Sequence, residues 1–248
     1  MEYQLFETPK SGLPDDKNED SVLVKKISSN QALITMSDGA STGVFSRNWS
    51  DHITGFFDTA FLDSSEDFLN GLQSLRTSFQ PEITRPSAQR KFLLEGSYAT
   101  VLASFVEKVT GLFSSRFKIN NYAVGDVCLF IFNKTGELKQ LFPYKESADF
   151  GNIPDLVRSS EKHQAKTPFS LRHDKFTASL DDTIVYATDA FAEFLLKQDE
   201  EHKLGHKILE RVRMCKNNQQ FRRLMDYYRT KGGMHNDDVT ICILEAKK

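Results

Sequence analysis

The sequence has few cysteines, and their placement argues against a disulfide framework. Its 248 residues include three cysteines, Cys128, Cys215 and Cys242, an odd number spread widely along the chain. Two of them lie inside apolar runs, which is typical of buried reduced thiols. Because disulfides are not predicted, the cytoplasm is the compartment that we expect for this protein.

Long hydrophobic runs and an excess of charge of one sign are also missing. The formal net charge is −2, which gives no electrostatic basis for nucleic acid binding. No run approaches the roughly 18 apolar residues of a membrane helix, and the start "MEYQLFETPK" is too polar for a secretory signal. We therefore expect neither a nucleic acid nor a membrane as partner. Since no repeat or low-complexity linker interrupts the chain, we predict a single domain over residues 1–248.

Apolar runs bounded by turn residues predict strands that are arranged in hairpins. For example, "SVLVKKI" and "QALITMS" are separated only by "SSN". Helical periodicity predicts helices around Trp49, after a capping box of Ser64 and Asp67, and over about 200–230. Residues 143–176 contain several prolines and are predicted to form a loop. Because the helices are grouped in two blocks, this order favours an α+β fold with helices packed on antiparallel sheets.

Acidic residues recur where the predicted strands end or turns begin. Asp38 follows the apolar run of "QALITMSDGAST" and precedes Gly39; the others are Glu19 and Asp20 in "KNEDS", Asp126 in "AVGDV", Asp189 in "ATDAF" and Asp237 in "HNDDVT". One such residue alone is common turn chemistry. Carboxylates brought together repel one another unless cations share them. An all-oxygen set without histidine or cysteine suits Mg²⁺ or Mn²⁺, and glycine lets a backbone carbonyl approach a metal closely.

Six segments of the chain, in this order and spacing, resemble the metal-dependent protein phosphatase 2C family, in particular its bacterial branch. They are "NEDS", "SDGAS", "EGSYATVLAS", "AVGDVCLF", "YATDAFAEFL" and "NDDVTICIL", and they extend the resemblance from about Lys10 to Leu244. The resemblance implies a four-layer α/β/β/α sandwich with two central antiparallel sheets. It also implies hydrolysis of phosphoserine and phosphothreonine in proteins. In that reaction a water that bridges two metal ions attacks the phosphorus, and no covalent intermediate forms.

The same resemblance implies a role for each acidic position. Asp38 would bridge two Mn²⁺ or Mg²⁺ ions beside the carbonyl of Gly39, and Asp20 would hold a metal-bound water, so we predict Asp38 and Asp20 as catalytic. Glu19 would bind the second ion, Asp189 and Asp237 the first, and Asp126 with Asp189 a weaker third ion. Asp238 stands where asparagine is usual in the family, so we align Asp237 with the ligand.

Two departures from the family pattern concern the substrate phosphate and the leaving group. Asp15 stands where the family places an arginine that grips the phosphate, and Lys17 or Arg47 could substitute for it. Ala40 stands where some members have a histidine that is a proposed general acid. Two alternatives therefore remain beside a protein phosphatase: a weakly active phosphatase-like binding module, and a phosphatase of a small phosphorylated molecule.

The partners expected of a protein phosphatase are a phosphorylated protein substrate and a cognate serine/threonine kinase in the same cytoplasm. The basic residues of the 143–176 segment either face the substrate or belong to a solvated loop. They are Lys145, Arg158, Lys162, Lys166 and Arg172.

Overall fold

The computed structural model describes residues 1–83, 85–111, 114–151, 154–160 and 169–245. Lys162 and Lys166 of the basic 143–176 segment lie outside these ranges. The strands are β1 Glu2–Thr8, β2 Ser21–Lys26, β3 Gln31–Ser37, β4 Tyr98–Ala99, β5 Val101–Thr110, β6 Ser115–Val124, β7 Cys128–Phe132, β8 Leu138–Phe142, β9 Val157–Arg158, β10 Arg172–Ser179, β11 Thr183–Ala187 and β12 Val239–Glu245. The helices are α1 Ser46–Phe56, α2 Ser65–Ser78, α3 Pro86–Glu95, α4 Asp189–His202, α5 Gly205–Arg213 and α6 Asn218–Tyr227. In the described ranges, none of the helices combines the length and apolar character needed to cross a membrane.

In the described part of the chain, the long strands form two five-stranded antiparallel sheets. Sheet I has the order β1-β12-β11-β7-β8, and sheet II has the order β10-β6-β5-β3-β2. The hairpin predicted around "SSN" joins β2 to β3, with Ser21 opposite Ser37 and Lys26 opposite Ala32. The short strands β4 and β9 pair with each other.

The central strands are apolar on both faces, which explains why they lie between other layers. In β12, Cys242 and Leu244 point into the layer between the sheets, whereas Ile241 and Ile243 pack against the side of α4, α5 and α6. This alternation is the two-residue period of a strand. Sheet II repeats the pattern, because β3 directs Leu33 toward α1 and α2, and Ile34 and Met36 toward sheet I. The predicted α/β/β/α sandwich is therefore confirmed.

The prediction of a loop over 143–176 was wrong at its C-terminal end. Strand β10 begins at Arg172 and pairs with β6, with Arg172 opposite Ala123 and Phe176 opposite Ile119. Most side chains of β10 are exposed because it is the edge strand of sheet II. An exposed edge strand lacks the apolar alternation by which a strand is recognised in a sequence.

Of the capping box predicted at the start of α2, the Ser64 N-cap is present, whereas the Asp67 carboxylate accepts from the Ser64 hydroxyl instead of from the Ser64 backbone N–H. The N-cap generates a stability prediction. The Ser64 hydroxyl accepts a hydrogen bond from the Asp67 backbone N–H at 3.1 Å. We expect Ser64→Ala to lower the free energy of unfolding by about 1 kcal/mol, because that N–H loses its partner. Urea denaturation measures the change. Ser74→Ala in the same helix is the control, since the Ser74 hydroxyl only donates to the Asn70 carbonyl. Equal losses in both variants would contradict the capping role.

Candidate metal centre

The acidic residues lie near one another because the strands that carry them end at the same edge of the sandwich. In sheet I, Ala187 is opposite both Cys128 and Ile241, so the ends of β11, β7 and β12 are level. In sheet II, the start of β2 is level with the end of β3. The turn of Gly125 and Asp126 crosses from sheet II to sheet I at this edge.

These strand ends surround a cleft of about 400 Å³. The predicted site residues that line it are Asp38, Gly39, Asp126, Asp189 and Asp237. Its described lining also includes Lys10, Ala40, Ser41, Thr42, Thr100, Pro154 and Leu156. Five of the predicted metal-binding positions therefore share one surface, and the sixth, Glu19, contacts that surface through Ser41.

Asp238 holds the backbone at Glu19 in place, and the Glu19 side chain contacts Ser41. The Ser41 hydroxyl donates to Glu19 Oε2 at 2.5 Å. Behind it, the buried Asp238 carboxylate accepts hydrogen bonds from the backbone N–H groups of Lys10 and Glu19, each at 2.8 Å. Asp237 lines the cleft while Asp238 binds backbone, which is the arrangement expected if Asp237 is the ligand.

Asp20 is buried beside the cluster and connects the two sheets. Its Oδ2 accepts a hydrogen bond from the Thr188 hydroxyl at 2.9 Å, and Thr188 in turn accepts from the Thr240 N–H at 3.0 Å. Its other oxygen, Oδ1, is buried and has no hydrogen-bond partner, and the same holds for Oδ1 of Asp126. Buried polar atoms without a partner are rare, so each calls for an explanation such as an ion or a water.

Gly39 is required by close backbone packing. A Cβ atom at this position would lie 2.7 Å from the Glu19 carbonyl oxygen and 2.9 Å from that of Ser46. Just before it, the Asp38 backbone is held by Thr100, whose N–H donates to the Asp38 carbonyl at 2.9 Å. Any larger residue at Gly39 would push the Glu19 loop away from Asp38.

The electrostatics of the cluster disfavour ionised carboxylates in the absence of cations. Burial raises the pKa of Asp126 to about 7 and the pKa of Asp189 to about 6, with neighbouring carboxylates adding to both shifts. Burial and the nearby aspartates also raise the pKa of Asp38 and of Asp20 well above the ordinary value. Such shifts are expected where like charges share a site of low dielectric.

The donor set fits Mg²⁺ or Mn²⁺ by its chemistry. Carboxylate and carbonyl oxygens are the ligands that these hard cations prefer, and the partnerless oxygens of Asp20 and Asp126 are available as acceptors. Within the ranges that the structure describes, no three acidic, histidine or cysteine side chains already converge closely enough to hold an ion. A bound ion would therefore have to draw these carboxylates together.

Neither cation predicted to grip the phosphate lines the cleft in the described structure. Arg47 donates to the backbone carbonyls of Asn18 and Asp20 and to Asp51 Oδ2, so it supports the loop that carries Glu19. Lys17 is exposed, and its ammonium lies 3.8 Å from Asp16 Oδ2.

The positions of two further residues, Asp15 and Lys10, differ from what the sequence suggested. Asp15 pairs with Arg222 at 2.9 Å outside the described cleft lining, so it does not face a phosphate bound there. Lys10, which our sequence reasoning did not single out, does line the cleft. Its ammonium lies 2.9 Å from Asp237 Oδ1, a contact between residues at opposite ends of the chain that no local pattern indicates.

Solved structures share this architecture over the full length of the chain. A serine/threonine phosphatase from Staphylococcus aureus has a TM-score of 0.61 at 17% identity, covering 100% of this chain and 95% of its own. One from S. agalactiae has a TM-score of 0.62 at 15% identity, covering 99% and 100%. One from Mycobacterium tuberculosis has a TM-score of 0.56 at 15% identity, covering 99% of both chains. The chain has the fold of bacterial serine/threonine phosphatases.

At these identities the likeness shows the fold alone. Neither the protein-family models nor the curated proteins that were searched give a match to this sequence.

The raised pKa of Asp126 predicts a pH-dependent gain in stability when this carboxylate is removed. In the unfolded chain Asp126 ionises near pH 4, whereas in the folded protein its pKa is about 7. The ionised carboxylate therefore destabilises the folded state increasingly as the pH rises from about 4 to about 7. We therefore expect Asp126→Asn to raise the free energy of unfolding of the metal-free protein by about 2 kcal/mol at pH 8 and by less at pH 5. Urea denaturation in EDTA at both pH values measures this.

The matched control is Asp182→Asn, at a buried aspartate that pairs with Lys139 at 2.7 Å. Loss of that ion pair should lower stability or leave it unchanged. Destabilisation by Asp126→Asn at pH 8 would contradict the electrostatic account of the cluster.

The close packing at Gly39 gives a second prediction. Gly39→Ala should lower the free energy of unfolding by roughly 1–3 kcal/mol, because the new Cβ meets backbone atoms that cannot move aside easily. Gly55→Ala is the control, since nothing lies within 4 Å of a Cβ at that exposed position in α1. Chemical denaturation of both variants compares them, and equal effects would show that the Glu19 loop is not in close contact with Gly39.

Proposed function

We propose that this protein is a Mn²⁺- or Mg²⁺-dependent protein serine/threonine phosphatase that hydrolyses phosphoserine and phosphothreonine without a covalent intermediate. The observation that carries the proposal is the convergence of carboxylates from separate strand ends on one cleft, in a chain with the fold of serine/threonine phosphatases. We infer two ions, with a third and weaker site that includes Asp126.

Charge balance supports the requirement for metal. The described lining of the cleft carries four carboxylates, from Asp38, Asp126, Asp189 and Asp237, against the single ammonium of Lys10. A phosphate monoester is close to a dianion at neutral pH and would be repelled by such a surface. Two divalent cations reverse the sign of the charge in the cleft, so binding of the phosphoryl group would follow binding of the ions.

When bound, the ions would lower the pKa of a coordinated water and neutralise charge that develops on the phosphoryl group. The protein's own contribution is to hold and orient. Asp38 is fixed through its backbone by Thr100, and the Ser41 hydroxyl holds Glu19 at the rim. The partnerless Oδ1 of Asp20 would accept a hydrogen bond from a water in this cluster. Because Ala40 lines the cleft, the proton for the leaving oxygen would come from water.

One observation favours a weakly active binding module as the second candidate. Arg47 is occupied by the 18–20 loop and Lys17 is exposed, so neither predicted phosphate ligand is placed over the carboxylates. A module of this kind would bind metal and a phosphorylated partner with little turnover. Hydrolysis rates on phosphopeptides separate it from a phosphatase. Comparison with small phosphoesters tests the remaining alternative, a small-molecule enzyme.

The partners that this function implies are a phosphorylated protein and the serine/threonine kinase that modifies it, both in the cytoplasm. The described part of the 143–176 segment contributes Pro154 and Leu156 to the cleft. A substrate-facing role for this segment therefore remains part of the proposal.

Hydrolysis of a phosphothreonine peptide tests the proposal. We expect turnover with Mn²⁺, none with EDTA, and a fall of more than about 100-fold in Asp38→Asn, since loss of even an outer-shell partner costs 10–100-fold at metal sites. Asp16→Asn is the control, because Asp16 is exposed and lies outside the described cleft lining. Turnover that persists in EDTA, or that survives in Asp38→Asn, would contradict the assignment.

A further inference from the structure

Lys10 is placed by its backbone so that its side chain extends over the carboxylates. Its N–H donates to Asp238 Oδ1 at 2.8 Å, and the next N–H, of Ser11, donates to Asn236 Oδ1 at 2.8 Å. Both bonds fasten this segment to the loop that precedes β12. The side chain of Lys10 is 25% exposed, which leaves its ammonium at the boundary between the cleft and solvent.

The ammonium of Lys10 contacts one carboxylate predicted to bind the first ion, that of Asp237, directly. Through the Ser41 hydroxyl it also reaches Glu19, which is predicted to bind the second ion. Its Nζ lies 2.9 Å from Asp237 Oδ1 and donates to the Ser41 hydroxyl at 3.0 Å. The Ser41 hydroxyl in turn donates to Glu19 Oε2. Lys10 therefore lies at the mouth of the site, between the residues that are predicted to bind different ions.

Among the described residues that line the cleft, Lys10 is the one basic side chain. We propose that its ammonium binds the non-bridging oxygens of the substrate's phosphoryl group. This inference rests on the proposed function and names the residue that grips the phosphate in the same cleft. Once a divalent ion neutralises Asp237, the ammonium no longer has a full counter-charge there, and the flexible four-carbon stem of lysine lets it move to an incoming anion.

The two cations that the sequence suggested for the phosphate, Lys17 and Arg47, are placed less well for this role. The guanidinium of Arg47 is held by the backbone carbonyls of Asn18 and Asp20, and neither Arg47 nor the exposed Lys17 belongs to the described cleft lining. A lysine supplies a charge-assisted hydrogen bond without the bidentate geometry of arginine. We therefore expect a weaker phosphate grip than a guanidinium would provide, and one that depends strongly on charge.

The test measures binding of inorganic phosphate to the Mn²⁺-loaded protein, by ³¹P relaxation, in parallel with KM and kcat for a phosphothreonine peptide. Lys10→Met keeps the backbone bonds to Asp238 and removes the charge, and Lys10→Arg keeps the charge. Lys134→Met is the control, since Lys134 is an exposed residue in the β7–β8 turn, at the end of sheet I away from the cleft. Mn²⁺ occupancy of each variant is checked by electron paramagnetic resonance.

We expect Lys10→Met to weaken phosphate binding and to raise KM by about tenfold each, the cost of a charge-assisted hydrogen bond, with a smaller effect on kcat. Lys10→Arg should restore most of the binding, and Lys134→Met should match the wild type. Unchanged phosphate binding in Lys10→Met at full Mn²⁺ occupancy would overturn the inference. So would a defect in that variant confined to Mn²⁺ affinity.

The two proposals fail in distinguishable ways. If the wild type binds phosphate through Lys10 but hydrolyses no phosphopeptide, the proposed function fails and the role of Lys10 as an anion ligand stands. If the wild type hydrolyses the peptide and Lys10→Met is unimpaired, the phosphatase stands and another residue grips the phosphate. Loss of phosphate binding in Lys17→Met but not in Lys10→Met would identify that residue.

Discussion

Repulsion among carboxylates at one edge of the sandwich is the constraint on which the rest of the site depends. Ionised aspartates that are brought together in a partly buried cleft destabilise the fold unless protons or cations neutralise them. The raised pKa values of Asp126 and Asp189 express that cost in the absence of metal. The apolar layers on both sides of each sheet supply the stability that tolerates it. The cluster is thus a place where the fold tolerates a local loss of stability, as proteins often do at functional sites.

Several hydrogen bonds around the cluster position the backbone from which its carboxylates extend. Asp238 binds the N–H groups of Lys10 and Glu19, and Thr100 binds the backbone of Asp38. Thr188 ties Asp20 to the strands of sheet I. These bonds fix the position of the residues that carry or flank the carboxylates, and they leave some of the carboxylate oxygens without a partner, such as Oδ1 of Asp20. Preorganisation of this kind is what a metal site needs from its surroundings.

Much of the fold was predictable because its signals are local. Apolar runs bounded by turns predicted the central strands, and the Ser64 cap and its apolar stripe predicted α2. The acidic positions at strand ends were predictable as candidates for the same reason, since each is recognisable within a few residues. Strand β10 was not, because an edge strand with exposed side chains leaves little periodic pattern.

The parts of the site that sequence reasoning missed depend on contacts between distant residues. Lys10 contacts Asp237 and Asp238, which lie at the other end of the chain and become neighbours only because β1 pairs with β12. Arg47 was a reasonable phosphate ligand by charge, yet in the folded protein its guanidinium donates hydrogen bonds to the backbone carbonyls of Asn18 and Asp20. Charge and spacing indicate which residues have the right chemistry, whereas register and packing decide which of them share a surface.

Thermal unfolding at pH 8 with and without Mn²⁺ is the most direct test of the proposal that this cluster binds divalent cations. A ligand that binds the folded state alone stabilises it by about 2.7 kcal/mol per site at 100 times its dissociation constant. We expect a midpoint of unfolding that rises progressively with Mn²⁺ concentration and returns to its starting value in EDTA. A midpoint unmoved by millimolar Mn²⁺ would contradict the proposal, because the carboxylates would then be neutralised by protons alone.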